Sequence, residues 1–133
     1  MRKPPAWWVL GSAVAALAVS VLGAGPALAA PGAYVTVGYG INACESGKLC
    51  LYKDVNHNSR ATHAVMLTNR NVNSLSNYEF DNKASSYVNR SGRVVTLYKG
   101  QLHKGAEMTL DPGNRARVFP TGWDDTITSI KFH

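Results

Sequence analysis

A six-residue pattern occurs twice in this chain. Asp81-Asn82-Lys83-Ala84-Ser85-Ser86 and Asp124-Asp125-Thr126-Ile127-Thr128-Ser129 both read acid or amide, acid or amide, two free positions, hydroxyl, serine. Each copy closes a segment that opens with the same tripeptide, Leu51-Tyr52-Lys53 and Leu97-Tyr98-Lys99. The chain therefore holds two units of about forty residues in the same order, and an internal repeat restricts the possible folds more than any single motif. Carboxylates, amides and hydroxyls are hard ligands suited to a hard cation such as calcium. Clusters of Asp, Asn and Ser are also the ordinary chemistry of turns. The pattern alone leaves both readings open.

Around the repeated corners the apolar runs are short. Residues 49–53, 62–68, 87–88, 93–98, 106–110, 116–119 and 126–132 read as strands, rich in β-branched residues in several places. Residues 54–59 and Asp111-Pro112-Gly113-Asn114 are turn chemistry, and residues 69–77, with four asparagines, read as a loop. No helix-period stretch follows residues 1–29, and residues 69–78 and 121–125 leave room for short helical turns. Short strands at close intervals indicate an all-β sandwich.

The chain opens with Met1-Arg2-Lys3, an apolar run over residues 6–22 and Ala27-Leu28-Ala29. A basic head, an apolar middle and an Ala-x-Ala end describe a secretory signal peptide over residues 1–29, cut after Ala29 or Ala30. A membrane anchor is the alternative, because the run is near the minimum length that spans a bilayer. Removal takes away Arg2 and Lys3, leaving 14 − 2 = 12 basic residues against 8 acids, a net charge of +4. The 133 − 29 = 104 residues that remain can bury one modest core. A mild positive charge favours acidic partners. The basic residues are scattered, without the clustering of a nucleic-acid face, and no other run is long enough to cross a membrane.

Residues 30–43 carry three glycines between positions 32 and 40 and read as a flexible N-terminal arm rather than an edge strand. Cys44 and Cys50 are the only cysteines. An even count in a secreted chain reads as a disulfide; a redox pair usually has two intervening residues, and zinc needs more ligands.

On these residues the chain resembles a βγ-crystallin domain, a sandwich of two Greek-key motifs. The hairpin pattern of that fold, Tyr, four residues, an aromatic, one residue, Gly, is met by Tyr98, His103 and Gly105 and by Tyr52, His57 and Ser59, with His at the aromatic position both times. The two corners resemble the paired calcium clamp of microbial βγ-crystallins, in which each corner serves both of two ions. The resemblance implies side-chain ligands at Asp81, Asn82, Ser85, Asp124, Asp125 and Thr128, with backbone carbonyls near Lys83 and Thr126. It implies structural roles for Ser86 and Ser129, each bonded back to its own folded hairpin. Cys44, Cys50, Leu51-Tyr52 and Leu75-Ser76-Asn77-Tyr78 with the first corner resemble more narrowly the secreted βγ-crystallin-like peptidase inhibitor family, of the Streptomyces metalloproteinase inhibitor type. The resemblance covers residues 44–132, with Greek key 1 over about 44–90 and Greek key 2 over about 91–133 of a domain spanning 44–133. The resemblance implies that members which inhibit hold a reactive loop rigid with a second disulfide, whereas this chain has one pair of cysteines.

Catalytic signatures are absent: no Gly-x-Ser-x-Gly, P-loop, His-Glu-x-x-His or Cys-x-x-Cys. His57, His63, His103 and His133 are spread along loops and the end of the chain, and Glu45, Glu79 and Glu107 are isolated. Asn89-Arg90-Ser91 matches a glycosylation acceptor by pattern. The expectation is a monomeric, extracellular, calcium-binding protein that is not an enzyme and that inhibits a secreted protease. The alternative is a calcium-stabilised structural, wall-associated or toxin-like module without inhibition. No reactive bond is assigned, and residues 55–62, 67–77 and 100–105 are the candidate contact loops.

Overall fold

The computed structural model describes residues 32–133, so the expected signal peptide over 1–29 lies outside the described residues. Strands β1 (Ala33–Gly38), β2 (Leu49–Tyr52), β3 (His63–Thr68), β4 (Ser86–Asn89) and β7 (Arg115–Ala116) form an antiparallel sheet in the order β1-β3-β2-β4-β7. Strands β5 (Val95–Tyr98), β6 (Glu107–Leu110) and β8 (Ser129–Phe132) form a second, in the order β6-β5-β8. The repeat is visible in the pairing. β2 sits between β3 and β4 as β5 sits between β6 and β8. The element before the last strand of each unit crosses to the other sheet: β7 pairs with β4, and Val72 bridges Ile130 of β8. These are two Greek keys with their third elements exchanged, the sandwich the repeat implies.

Alternation along the strands assigns the faces. Leu49, Leu51, Met66 and Tyr87 turn inward to meet Val95, Leu97, Leu110, Ile127 and Ile130 between the sheets. Cys50, Tyr52, Val65, Leu67 and Val88 turn outward and form a second buried cluster with Cys44. A strand such as Leu49–Tyr52, apolar at every position, needs cover on both faces.

That cover comes from the segment expected to be a flexible arm, and the expectation is corrected here. Ala33–Gly38 is strand β1, paired with β3 along its length. Its interior, Tyr34-Val35-Thr36-Val37, is made of good strand formers; Gly32 and Gly38 fall at its ends, and Gly40, with φ of +76°, lies beyond in the turn that follows. Tyr34, Ile41 and Ala43 then pack on the outer cluster. Cys44 and Cys50 are joined by a disulfide within it. Strand boundaries also differ: the run 116–119 contributes Arg115–Ala116 only, and the last strand is Ser129–Phe132. The 3₁₀ turn Leu75–Tyr78 falls where a short helical turn is expected, and further 3₁₀ turns form at Ile41–Ala43, Val55–Asn58 and Gln101–His103.

Two asparagines pin the turns. Asn58 donates from Nδ2 toward the carbonyls of Gly38, His63 and Ala64 at 3.0–3.1 Å. Asn89 does the same toward Arg93, Leu110 and Asp111 at 2.8–3.2 Å. Asn89 is wholly buried, so the glycosylation pattern around it is closed to modification in the folded protein.

Candidate metal centre

Each corner hangs from a folded hairpin. Tyr52 packs edge-on against the His57 ring, with centroids 5.0 Å apart, and Tyr98 lies 5.5 Å from His103. Ser86 Oγ donates to the Asp54 carbonyl (2.6 Å) and accepts from the His57 amide (3.0 Å). Ser129 Oγ repeats this with the Gly100 carbonyl (2.6 Å) and the His103 amide (3.0 Å). The two serines thus bond to their own hairpins. Gly105 has φ of +85°, a value that favours glycine, whereas Ser59 has φ of −64°, which any residue adopts. This explains why one unit keeps glycine and the other does not.

The corners meet. Ser85 Oγ donates to Asp125 Oδ1 at 3.2 Å, and Thr128 Oγ1 donates to Asn82 Oδ1 at 3.3 Å. The backbone repeats the exchange: the Asn82 amide donates to the Ile127 carbonyl and the Asp125 amide to the Ala84 carbonyl, both at 3.0 Å. Asn82 and Asp125 share a left-handed backbone, φ 56°, which Asn and Asp adopt at lower cost than most residues. Each hydroxyl therefore faces the second acid-or-amide residue of the other corner.

The remaining positions divide. Asp81 is half-buried, and its Oδ1 is enclosed without a hydrogen-bond partner. A buried carboxylate oxygen left unpaired is costly unless something positive meets it. Asp124 is exposed. The side chains of Lys83 and Thr126 turn to other carbonyls: Lys83 Nζ donates to Glu79 (2.9 Å) and Thr126 Oγ1 to Trp123 (2.8 Å). The backbone carbonyls of Lys83 and Thr126 accept no hydrogen bond among the described residues. No three His, Cys, Asp or Glu side chains converge among the described residues. A cation at the corners would be met by a mixed set of carboxylate, amide, hydroxyl and carbonyl oxygens, a hard-ligand set. Trp123 lies beside the second corner, with Lys99 Nζ 4.6 Å from its ring centroid and donating to the Gly122 carbonyl at 2.7 Å.

The histidines stay apart. His57 Nε2 reaches the Tyr87 carbonyl (3.2 Å), His103 Nε2 the Ile130 carbonyl (2.9 Å) and His133 Nε2 the Thr96 hydroxyl (2.8 Å), while His63 pairs with Asp54. Burial, with the fields of Arg115 and Arg117 behind it, holds His57 below its ordinary pKa of 6.5. Burial pushes Tyr52 up to about 12, against a smaller lowering by Arg90; its hydroxyl donates to the Gly40 carbonyl at 2.8 Å.

Of the candidate contact loops, 67–77 is stitched into the sandwich. Val72, Ser74 and Leu75 are buried, and the Val72 and Leu75 amides donate to the Ile130 and Thr128 carbonyls. Sequence reading missed this because asparagine-rich composition hides two isolated apolar anchors. Residues 55–62 carry exposed Val55, Arg60 and Ala61, and residues 100–105 carry exposed Leu102.

The profile of peptidase inhibitor family I36 matches residues 39–110. The chain belongs to this family. The family I36 chain has the βγ-crystallin fold: it aligns with a structure from work on the evolution of the eye lens βγ-crystallin domain at TM-score 0.63 and 20% identity, covering 74% of this chain and 96% of that one. A βγ-crystallin from Ciona intestinalis aligns at TM-score 0.56 and 24% identity, over 65% of this chain and 100% of that one. A βγ-crystallin domain from Clostridium beijerinckii aligns at 0.53 and 21%, over 65% and 97%. No curated protein sequence matches the family I36 chain.

Proposed function

We propose that this protein is a secreted, calcium-loaded βγ-crystallin domain that acts by binding a secreted peptidase and catalyses nothing itself. Membership of peptidase inhibitor family I36 supports the peptidase target. The crossed pairs Ser85–Asp125 and Thr128–Asn82, together with the unpartnered Asp81 oxygen, are the observation that carries the calcium reading. Asp81, Asn82, Ser85, Asp124, Asp125 and Thr128 would hold the ions with side-chain oxygens, and Lys83 and Thr126 with backbone carbonyls. A bound ion supplies positive charge to oxygens that otherwise face one another, and so ties the two units together.

With three carboxylates for two ions, the charge per ion is low, and affinity falls on the order of 10⁻⁵ to 10⁻³ M, the range of extracellular modules. The test follows Trp123 emission and the melting temperature during calcium titration, then measures inhibition of secreted metallo- and serine peptidases on the same sample. A response to millimolar calcium with inhibition at micromolar protein is expected. A calcium response without inhibition assigns the second reading, a calcium-stabilised extracellular module. That reading is favoured by the anchoring of 67–77 through buried Val72, Ser74 and Leu75 and by the single disulfide among the described residues. No calcium response removes the metal from the proposal.

A further inference from the structure

Strand β7 closes one end of the five-stranded sheet, with no further strand beyond it. Two adjoining cavities of about 370 and 310 Å³ share Ile41 and Arg115 beside it. Arg90, Arg115, Arg117 and His57 line them over apolar Ile41 and Val88, and no carboxylate does. No ion pair among the described residues engages these guanidiniums, so no Asp or Glu lies within 4.0 Å of them. The frame is fixed at several points. Arg90 donates to the Cys44 carbonyl, Arg115 is in register with Val88, and the Arg117 carbonyl accepts from the Asn56 amide at 2.7 Å. Phe119 anchors the following residues, buried against Tyr87 with ring centroids 5.0 Å apart.

We propose that this cleft binds an extended acidic segment of a partner protein whose carboxylates recur at every second residue. Arg115, in β7, and Arg117, in the bend that follows it, stand two residues apart and line one cavity, and two residues of an extended ligand advance about 6.7 Å. A Glu-x-Glu pattern in such a ligand offers one carboxylate to each guanidinium. The planar guanidinium fork accommodates a carboxylate with two parallel hydrogen bonds. β7 is an edge strand of its sheet among the described residues, and extended peptides add to such edges. Two cavities in a row suit a chain better than one small anion. Excess guanidinium charge with no internal counterion supplies the complementarity. None of the lining residues belongs to the calcium corners, so the site stands apart from the metal reading, although His57 falls in the candidate contact loop 55–62.

The test is fluorescence anisotropy of a labelled Glu-Val-Glu-Val-Glu peptide titrated with the folded protein, beside its glutamine counterpart. The glutamine peptide, and the Arg115→Glu and Arg117→Glu variants with the glutamate peptide, should each bind at least about tenfold more weakly, while Lys131→Glu, the same charge change elsewhere, stays within about twofold. Arg115 and Arg117 are exposed, so unchanged melting curves verify the folds of the variants. His57 should titrate at higher pH with the glutamate peptide bound, because a carboxylate in the cleft offsets the fields of Arg115 and Arg117. Absence of binding at millimolar protein, equal binding of the glutamine peptide, or equal damage from Lys131→Glu overturns the proposal. Full displacement of the peptide by inorganic phosphate at equal concentration overturns it too, and makes the cleft a small-anion site.

Discussion

Replacing Asp125 separates the turn role of its corner from the metal role. Its carboxylate accepts from Ser85 and its backbone is left-handed, φ 56°. Asp125→Asn keeps an acceptor oxygen and a residue that tolerates this backbone; the other corner already has Asn82 in the same conformation, accepting from Thr128. In chelator its stability should match the parent within about 0.5 kcal/mol. Asp125→Ala loses the hydrogen bond and adds left-handed strain of roughly 1–2 kcal/mol. For a domain of this size each kcal/mol moves the melting temperature by about 4–8 °C. Calcium at a hundredfold excess over its dissociation constant adds about 2.7 kcal/mol per site by mass action. The parent should therefore gain about 10 °C or more in saturating calcium, given that scale. Asp125→Asn should lose much of that gain while unchanged in chelator, and Asp125→Ala should fall in both conditions. On the proposed paired clamp, in which each corner would serve both ions, calorimetry should find both sites weakened, whereas Glu107→Ala should leave them intact. A parent melting curve identical in calcium and chelator, with Asp125→Ala losing the same amount in each, would reduce the corners to hydrogen-bonded turns.

Reduction of Cys44–Cys50 opens a short loop, which in the chain-entropy model stabilises by about 2 kcal/mol; the melting temperature should drop without unfolding at room temperature, and a thiol assay on unreduced protein should read zero. Asn89→Ala strips the shared Nδ2 donor from the Arg93, Leu110 and Asp111 carbonyls and should cost about 1–3 kcal/mol in denaturant unfolding, while treating the folded protein with an asparagine-glycosylating enzyme should leave the mass at residue 89 unchanged. His57, held below 6.5 by burial, binds fewer protons folded than unfolded, so its contribution is complete above pH 6.5 and is lost as pH falls from there toward the folded pKa. Proton NMR should place its titration below that of an exposed histidine, and an unshifted value refutes the burial argument.

The repeat made the sandwich legible: paired tripeptides and paired corners place equivalent residues at equivalent points, and β2, β3, β5 and β6 fall within the short apolar runs. The corner serines were legible for the same reason. Less legible was anything decided by contact across the chain. Ala33–Gly38 looked loose because its flanking glycines were counted with its interior, whereas the outward faces of Cys50, Tyr52, Val65 and Leu67 demand a cover no local pattern announces. Val72 and Leu75 sit among polar residues and gain their meaning only from Ile130 and Thr128. The arginine cleft is assembled from residues 41, 57, 90, 115 and 117, and a reading that looks for basic runs passes over charges gathered one by one.

The exchange of third elements has a consequence for when the protein can fold. Val72 finds its bridge in Ile130, and β4 acquires β7 only from residues 115–116. Each half is one strand short without the other, so neither closes its own sandwich. Pairings this far apart in sequence close large loops before they return any stabilisation, and such topologies fold slowly. During synthesis, then, the first unit should remain an open and protease-sensitive chain until residues 129–132 have been made. Unfolding should run the other way, as a single cooperative event: loosening β8 at once releases β5, Val72 and, through Thr128, the hydroxyl that faces Asn82.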